Sequence, residues 1–131
     1  MTNCMAHYII RRMRELTGIW ENGYTEVYYI CPTRERDKVL KNGLKPERYS
    51  RSWSNKLEIR LMGNMGDVDW AFDGWVKDEF PGEEMSLFQV HLPANEDGSE
   101  VYELGFDEMG GEYTTKMAIP PEYISLIMDD Y

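Results

Sequence analysis

The sequence is short of the residues that most often mark a metal site or a disulfide framework. Its 131 residues include two cysteines, Cys4 and Cys31, and two histidines, His7 and His91. Two cysteines are too few for the framework of a small secreted protein, and the histidines lack the clustered spacing of a zinc site. The sequence therefore predicts no metal site and no dependence on disulfides.

Long apolar runs are also missing from the chain. No segment approaches the roughly 18 apolar residues of a membrane helix, and the first residues lack the apolar core of a signal peptide. We therefore expect a cytoplasmic protein with no membrane partner. A chain of 131 residues favours a single globular domain with one core.

Basic residues are outnumbered by acidic ones. The chain has 14 lysines and arginines against 24 aspartates and glutamates, a net charge of −10. Such a surface repels phosphate, so nucleic acid is not favoured as a partner. Nine of the 14 basic residues fall between positions 34 and 60. They form either one anion-receptive face on an acidic body or an ordinary solvated surface.

Three common catalytic signatures are absent from the sequence. No GxGxxG follows a strand, no GxxxxGK is present, and no GxSxG nucleophile elbow occurs. A dinucleotide dehydrogenase, a P-loop enzyme and an α/β-hydrolase are therefore not indicated.

A complete strand–helix unit lies near the start of the chain. The β-branched and aromatic run from Val27 to Cys31 predicts a buried strand. Thr33 is a suitable N-cap for a short helix over residues 34–42. Gly43 then stands where a left-handed residue ends a helix, in a Schellman-type arrangement that includes Leu44.

Further along, one alternating segment and one helical stripe stand out. Residues 57–62, LEIRLM, predict a half-buried strand. A helix capped by Asp67 should follow and end before Pro81. Trp70 lies off its apolar stripe, which leaves an exposed or ligand-facing role open. The stripe itself predicts core packing and consists of Val68, Ala71, Phe72, Trp75 and Val76.

The second half predicts two more strands, residues 86–92 and 112–117, with an acidic, glycine-containing connection at 105–111. His91, in the first of these strands, is either a hydrogen-bonded structural histidine or a general base. At the other end of the chain, residues 1–22 predict an N-terminal helix or extension. The main domain then covers residues 23–131.

Two motifs frame this domain in order. The first runs from Tyr28 through Ile30 and Pro32 to the Lys41-Asn42-Gly43-Leu44 stop and Pro46, and the second joins Glu112 to Ile119-Pro120-Pro121, Tyr123 and Ile124. Together they resemble small proteins of the ADP-ribosyltransferase fold, the superfamily that includes tRNA 2′-phosphotransferases and DNA ADP-ribosyltransferases. The resemblance implies an α+β fold with about six or seven strands in split β-sheets, about three helices, and a nucleotide cleft between the sheets.

The resemblance also implies a chemistry, in which NAD is the substrate and ADP-ribose passes to a macromolecule. Glu112 takes the place of the catalytic glutamate, whose carboxylate stabilises the positive charge that builds on the ribose. Arg51 and Ser52 match an arginine–serine pair that can bind the pyrophosphate, although an ordinary surface loop fits them equally well. An exposed glutamate at a strand start is the alternative interpretation of Glu112.

Two positions depart from the family pattern. Tyr29 stands where a histidine or arginine contacts NAD, and Cys31 stands where threonine is usual. Tyr29 would bind the ribose or nicotinamide side, but a tyrosine hydroxyl donates one hydrogen bond and carries no charge near neutral pH. The alternative is therefore a catalytically inactive binding or inhibitor protein on the same fold. It would bind a nucleotide or a host protein, as in a counter-defence protein of a phage or mobile element.

Overall fold

The computed structural model describes residues 24–47, 57–93, 101–102, 104–107 and 112–131. The predicted N-terminal helix and the Arg51-Ser52 pair lie outside these ranges. Among the described residues, no helix has the length and apolar character needed to cross a membrane. The strands are β1 Tyr24–Pro32, β2 Ile59–Met62, β3 Met85–Pro93, β4 Gly105–Asp107, β5 Glu112–Thr115 and β6 Ile124–Met128; the helices are α1 Arg36–Asn42, α2 Met65–Ala71 and α3 Lys77–Glu79.

The six strands form one antiparallel sheet in the order β4-β5-β2-β1-β3-β6. The α+β class is therefore confirmed, whereas the described strands do not separate into the two sheets that the sequence predicts. The reason is the central position of β1. It pairs with β3 along all nine of its residues and with β2 through Tyr28 and Met62, so it joins both halves of the sheet.

Side chains alternate across this sheet and build a core on each face. One face, here called the α1 face, packs against Val39 of α1 and carries Tyr29 and Phe88. The other, the α2 face, packs against Val68 and Ala71 of α2 and carries Ile30, Met62 and Leu87. Since both faces are covered by helices, strands of this sheet are buried on both sides.

The beginning of α1 differs from the prediction. Thr33 does not cap the helix but lies in a 3₁₀ turn, Thr33–Glu35, and its hydroxyl oxygen is 2.8 Å from that of Ser86. The backbone N–H of Thr33 donates to the carbonyl of Glu84 at 2.8 Å. This bond continues the β1–β3 pairing, so the side chain faces the sheet and α1 starts without a side-chain cap.

The end of α1 is where the two sequence motifs meet. Gly43 has a φ of +78°, which confirms the predicted positive-φ glycine. The N–H of Leu44 does not return to the helix in a Schellman bond but donates to the carbonyl of Ile119 at 2.8 Å. The N–H of Ile119 donates back to Leu44 at 2.9 Å, so the two motifs are joined by a two-bond antiparallel bridge.

The helix on the other face begins three residues earlier than predicted. Asn64, in extended conformation, caps α2, because its side-chain oxygen accepts from the N–H of Asp67 at 2.9 Å. The predicted stripe is confirmed at Val68, Ala71 and Val76, which are buried. Between α2 and α3 the chain widens into a π-helical turn, Phe72–Val76, with a non-helical backbone at Gly74.

The residues after β6 are held to the body of the sheet by Asp129. Its carboxylate accepts from the Ser86 hydroxyl at 2.6 Å and from the Arg36 guanidinium at 2.6 Å. The Ser86 hydrogen bond, followed by the Arg36 interactions, holds the pKa of Asp129 below its usual value despite partial desolvation. The negative charge of Asp129 is thus already balanced within the chain.

Replacing Gly43 by alanine should destabilise the fold more than the same change at Gly82. Both glycines have positive φ, but a Cβ at Gly43 would lie 2.1 Å from the Ile119 carbonyl oxygen, whereas a Cβ at Gly82 meets nothing within 4 Å. We expect a loss of about 1 kcal/mol for Gly82→Ala and at least twice that for Gly43→Ala, measured by urea unfolding. Equal losses would contradict the close approach.

Candidate functional site

The structure does not bring Glu112 and Tyr29 together. Glu112 is opposite Met62 in the β2–β5 pairing, and Met62 is opposite Tyr28 in the β1–β2 pairing. Directly opposed residues project to the same side of a sheet, so Glu112, Met62 and Tyr28 share the α2 face. Tyr29 projects to the α1 face, where its ring lies 6.2 Å from that of Phe88.

Glu112 is the first residue of β5, and its side chain is enclosed rather than open to a cleft. The residue is 1% exposed. The indole N–H of Trp75 donates to its Oε1 at 3.1 Å, and a guanidinium nitrogen of Arg60 lies 3.6 Å from the same oxygen. A substrate ribose could reach this carboxylate only if Trp75 or the neighbouring backbone moved.

Arg60 links Glu112 to a second buried carboxylate. Its other terminal nitrogen is 3.2 Å from Oε1 of Glu58, and the side chains of both residues are less than a tenth exposed. Glu58 and Arg60 alternate with Met62 along this chain segment, so all three face α2. We call Glu58, Arg60, Trp75 and Glu112 the Glu112 cluster.

The sequence predicts a half-buried strand over residues 57–62, whereas Glu58 and Arg60 are both buried. β2 lies between β1 and β5 and is buried on both sides. Trp75 and Glu112, which complete the cluster, belong to a helical turn and a strand that are distant from β2 in the sequence. The periodicity of residues 57–62 therefore gives no indication of these contacts. A charged pair at alternate positions of an otherwise apolar strand, LEIRLM, is the one signal that could have revealed the cluster.

Trp75, which donates to Glu112, lies where the helix is irregular. A regular helix would place the side chain by the 3.6-residue repeat alone, whereas the π turn and the break at Gly74 alter that spacing. Trp75 packs against the α2-face core, as its place in the stripe predicts, and also donates a hydrogen bond to Glu112.

A second set of hydrogen-bonded polar side chains lies on the α2 face, beside Tyr28. The Gln89 amide donates to Glu26 at 2.5 Å, and a ring nitrogen of His91 is 3.1 Å from the Gln89 amide oxygen. The Tyr28 hydroxyl is 3.5 Å from Glu26. His91 thus has the hydrogen-bonded environment that is expected of a structural histidine.

Tyr29 borders a cavity on the α1 face. The cavity has a volume of about 170 Å³ and lies between β1, α1 and the segment after Gly43, with Lys38, Lys45, Glu35 and Glu47 among its lining residues. Ligand pockets usually measure about 300–1,000 Å³, so this space suits a fragment of a nucleotide rather than a whole dinucleotide.

The thiol at this cavity is not set up for nucleophilic chemistry. Burial, reinforced by Glu35 and Glu47, raises the pKa of the Cys31 thiol to about 12, so the thiolate is scarcely populated near neutral pH. Burial, followed by repulsion from Glu35, also raises the pKa of Glu47. Among the described residues, no group of three or more potential metal ligands converges.

No protein-family model, no curated protein and no solved structure matches the chain. The functional interpretation therefore depends on the geometry of the Glu112 cluster and of the cavity beside Tyr29.

Removing Arg60 should destabilise the protein far more than removing an exposed arginine. Arg60→Met leaves Glu58 and Glu112 buried without the cation that lies between them, and we expect a loss of about 3 kcal/mol or more. Arg34→Met breaks an exposed pair with Glu83, 2.6 Å apart, and should cost much less, because solvent screens the attraction between exposed charges. Urea unfolding of both variants measures the difference; similar losses would contradict a structural role for the Glu112 cluster.

Proposed function

We propose that this chain is a non-catalytic binding protein on an ADP-ribosyltransferase-like frame. The observation that carries the proposal is the placement of Glu112 and Tyr29 on opposite faces of one sheet. A transferase needs its carboxylate beside the ribose that its cofactor-binding residues hold. With Glu112 enclosed by Trp75 and Arg60, its carboxylate serves the packing of β2, β5 and the helix.

The surface of α2 supports a protein as the partner. Trp70 is 68% exposed, and Gly66 stands four residues before it on α2, so no side chain lies beside it at that position. Asp69 and Asp73 are exposed beside it; Asp69 accepts a hydrogen bond from the Tyr131 hydroxyl, and Asp73 lies 3.2 Å from the Lys77 ammonium. An exposed tryptophan with acidic neighbours suits a basic protein surface, since aromatic anchors dominate many interfaces and charge selects the partner.

The net charge of −10 extends this complementarity over the whole protein. Attraction between an acidic inhibitor and a basic site accelerates their encounter and weakens with salt. A small acidic protein that occupies a basic site on a host protein fits these properties, and counter-defence proteins of phages and mobile elements are the class we propose for it.

A nucleotide-dependent activity is the second candidate, and the bridge between Leu44 and Ile119 favours it. This bridge brings the two family-like motifs into contact beside the cavity that Tyr29 borders. In this alternative, NAD is the substrate, Tyr29 lies near the ribose, Arg51 and Ser52 bind the phosphates, and Glu112 stabilises the oxocarbenium-like ribose. It requires Glu112 to leave its present contacts.

Nicotinamide release from NAD distinguishes the two candidates. We expect no release above background from the wild type, with or without a cell lysate as acceptor, because Glu112 is enclosed. Glu112→Gln and the exposed control Glu122→Gln should give the same chromatographic trace. Release that disappears in Glu112→Gln alone would establish an NAD-consuming transferase or hydrolase and overturn the proposal.

A second arm of the experiment tests the protein-binding surface. The tagged wild type should retain a discrete lysate protein at low salt and lose it as salt rises. Trp70→Ala should abolish retention, whereas Met117→Ala, which alters an exposed apolar residue outside α2 (45% exposed), should not. Retention that survives Trp70→Ala would place the binding surface elsewhere.

A further inference from the structure

The inner wall of the cavity beside Tyr29 is largely apolar. Tyr29, Cys31, Val39 and Leu44 line it, and all four residues are buried. With a pKa of about 12, the Cys31 thiol stays protonated near neutral pH, so it behaves as a small and weakly polar group. The inner part of the cavity therefore suits an apolar group.

Charged side chains of both signs line the same cavity. They are the carboxylates of Glu35 and Glu47 and the ammonium groups of Lys38 and Lys45. After burial, which raises the pKa of Glu47 most, Glu35 raises it further and Lys38 lowers it. These three charged groups therefore lie close to one another.

The four charges are available to a ligand. Within the part of the chain that the structure describes, none of the side chains of Glu35, Lys38, Lys45 and Glu47 makes a hydrogen bond or a contact ion pair. Their formal charges sum to zero. A phosphate would be attracted by the lysines but repelled by the glutamates, and a metal cation would meet the opposite balance. A zwitterion is the ligand that can pair with both sets, through charge-assisted hydrogen bonds of both signs.

The size of the cavity limits the length of that zwitterion. Its volume is about 170 Å³, and a cavity of about 150 Å³ holds a molecule the size of benzene. The space thus suits a molecule of about six to nine non-hydrogen atoms, which is the range of the small apolar amino acids.

We propose that the cavity beside Tyr29 binds a free, apolar α-amino acid of about the size of valine. Its ammonium group faces Glu35 and Glu47, its carboxylate faces Lys38 and Lys45, and its side chain points toward the apolar inner wall. The cavity lies on the α1 face, whereas Trp70 belongs to α2 on the other face. The amino-acid site is therefore independent of the protein-binding surface proposed above.

Binding should be weak, because a ligand of this size makes few contacts. We expect a Kd on the order of 100 μM to 1 mM. A ligand that binds only the folded chain stabilises it by mass action, so L-valine at concentrations above the Kd should raise the Tm.

Titration calorimetry with L-valine and two derivatives tests the recognition of both charges. L-Valine should bind saturably to the full chain. N-Acetyl-L-valine lacks the ammonium group and L-valinamide lacks the carboxylate, so each should bind at least about tenfold more weakly. L-Tryptophan, which is too large for the cavity, should not bind.

Charge-removing variants assign each end of the ligand. Glu47→Gln should weaken the binding of L-valine about tenfold but leave that of N-acetyl-L-valine unchanged, because this derivative has no ammonium group. Lys38→Gln should likewise weaken L-valine but not L-valinamide. Lys77→Gln and Asp78→Asn are controls, because both residues are exposed in α3 and do not line the cavity. Circular dichroism confirms that each variant is folded.

NMR locates the bound amino acid. At saturating L-valine, the backbone amide resonances of Val39 and Leu44 should shift, because both residues line the cavity. Those of Val68 and Ala71, which pack on the α2 face, should not.

Three results would overturn the proposal. The first is the absence of saturable binding of L-valine up to about 10 mM. The second is equal affinity for L-valine and for both derivatives, which would show that the charges are not recognised. The third is binding that shifts the resonances of α2 and leaves those of Val39 and Leu44 in place.

Discussion

The alternation of side chains along β1 is the constraint on which the rest of the structure depends. Because β1 pairs with β2 and β3, each of its residues must project to one covered face or the other. Tyr28 takes the α2 face with Glu112, and Tyr29 takes the α1 face with the small cavity. A shift of one residue in the pairing register of β1 would place each tyrosine on the opposite face. It would also turn the apolar side chains of β1 away from the cores into which they pack. The separation of the predicted site residues is thus fixed by the register of the sheet.

Much of the frame could be predicted because it is determined locally. The apolar run of β1, the positive-φ glycine after α1 and the stripe of α2 each depend on residues close in sequence. The Glu112 cluster could not, since Arg60 and Glu112 are 52 positions apart in the chain and meet only through strand pairing. The cap of α2 could not be predicted for a different, local reason: both Asn64 and Asp67 have suitable side chains, and the backbone conformation decides between them. The Arg51-Ser52 prediction lies outside the described residues.

The residues that carry the family resemblance have a physical role that needs no catalysis. Gly43 has a positive φ and lies against the Ile119 carbonyl, and Leu44 and Ile119 exchange two backbone hydrogen bonds. The motif that ends at Pro46 and the motif that contains Ile119 thus pack against each other. Residues of this kind specify a fold, and a fold can persist without the catalytic activity of other proteins that share it. We propose that Tyr29, in place of a histidine or arginine, and the enclosure of Glu112 reflect such a loss.

The indole N–H resonances of the tryptophans, followed by NMR during an NAD titration, test the central claim most directly. Trp75 donates to Glu112, whereas Trp70 is 68% exposed and serves as an internal reference. The account predicts that the Trp75 indole proton exchanges with solvent much more slowly than that of Trp70, that it does not shift with NAD, and that Glu112→Gln shifts it. A Trp75 resonance that exchanges as fast as that of Trp70, or that shifts saturably with NAD, would show that Glu112 lies in an accessible nucleotide site and would contradict the account.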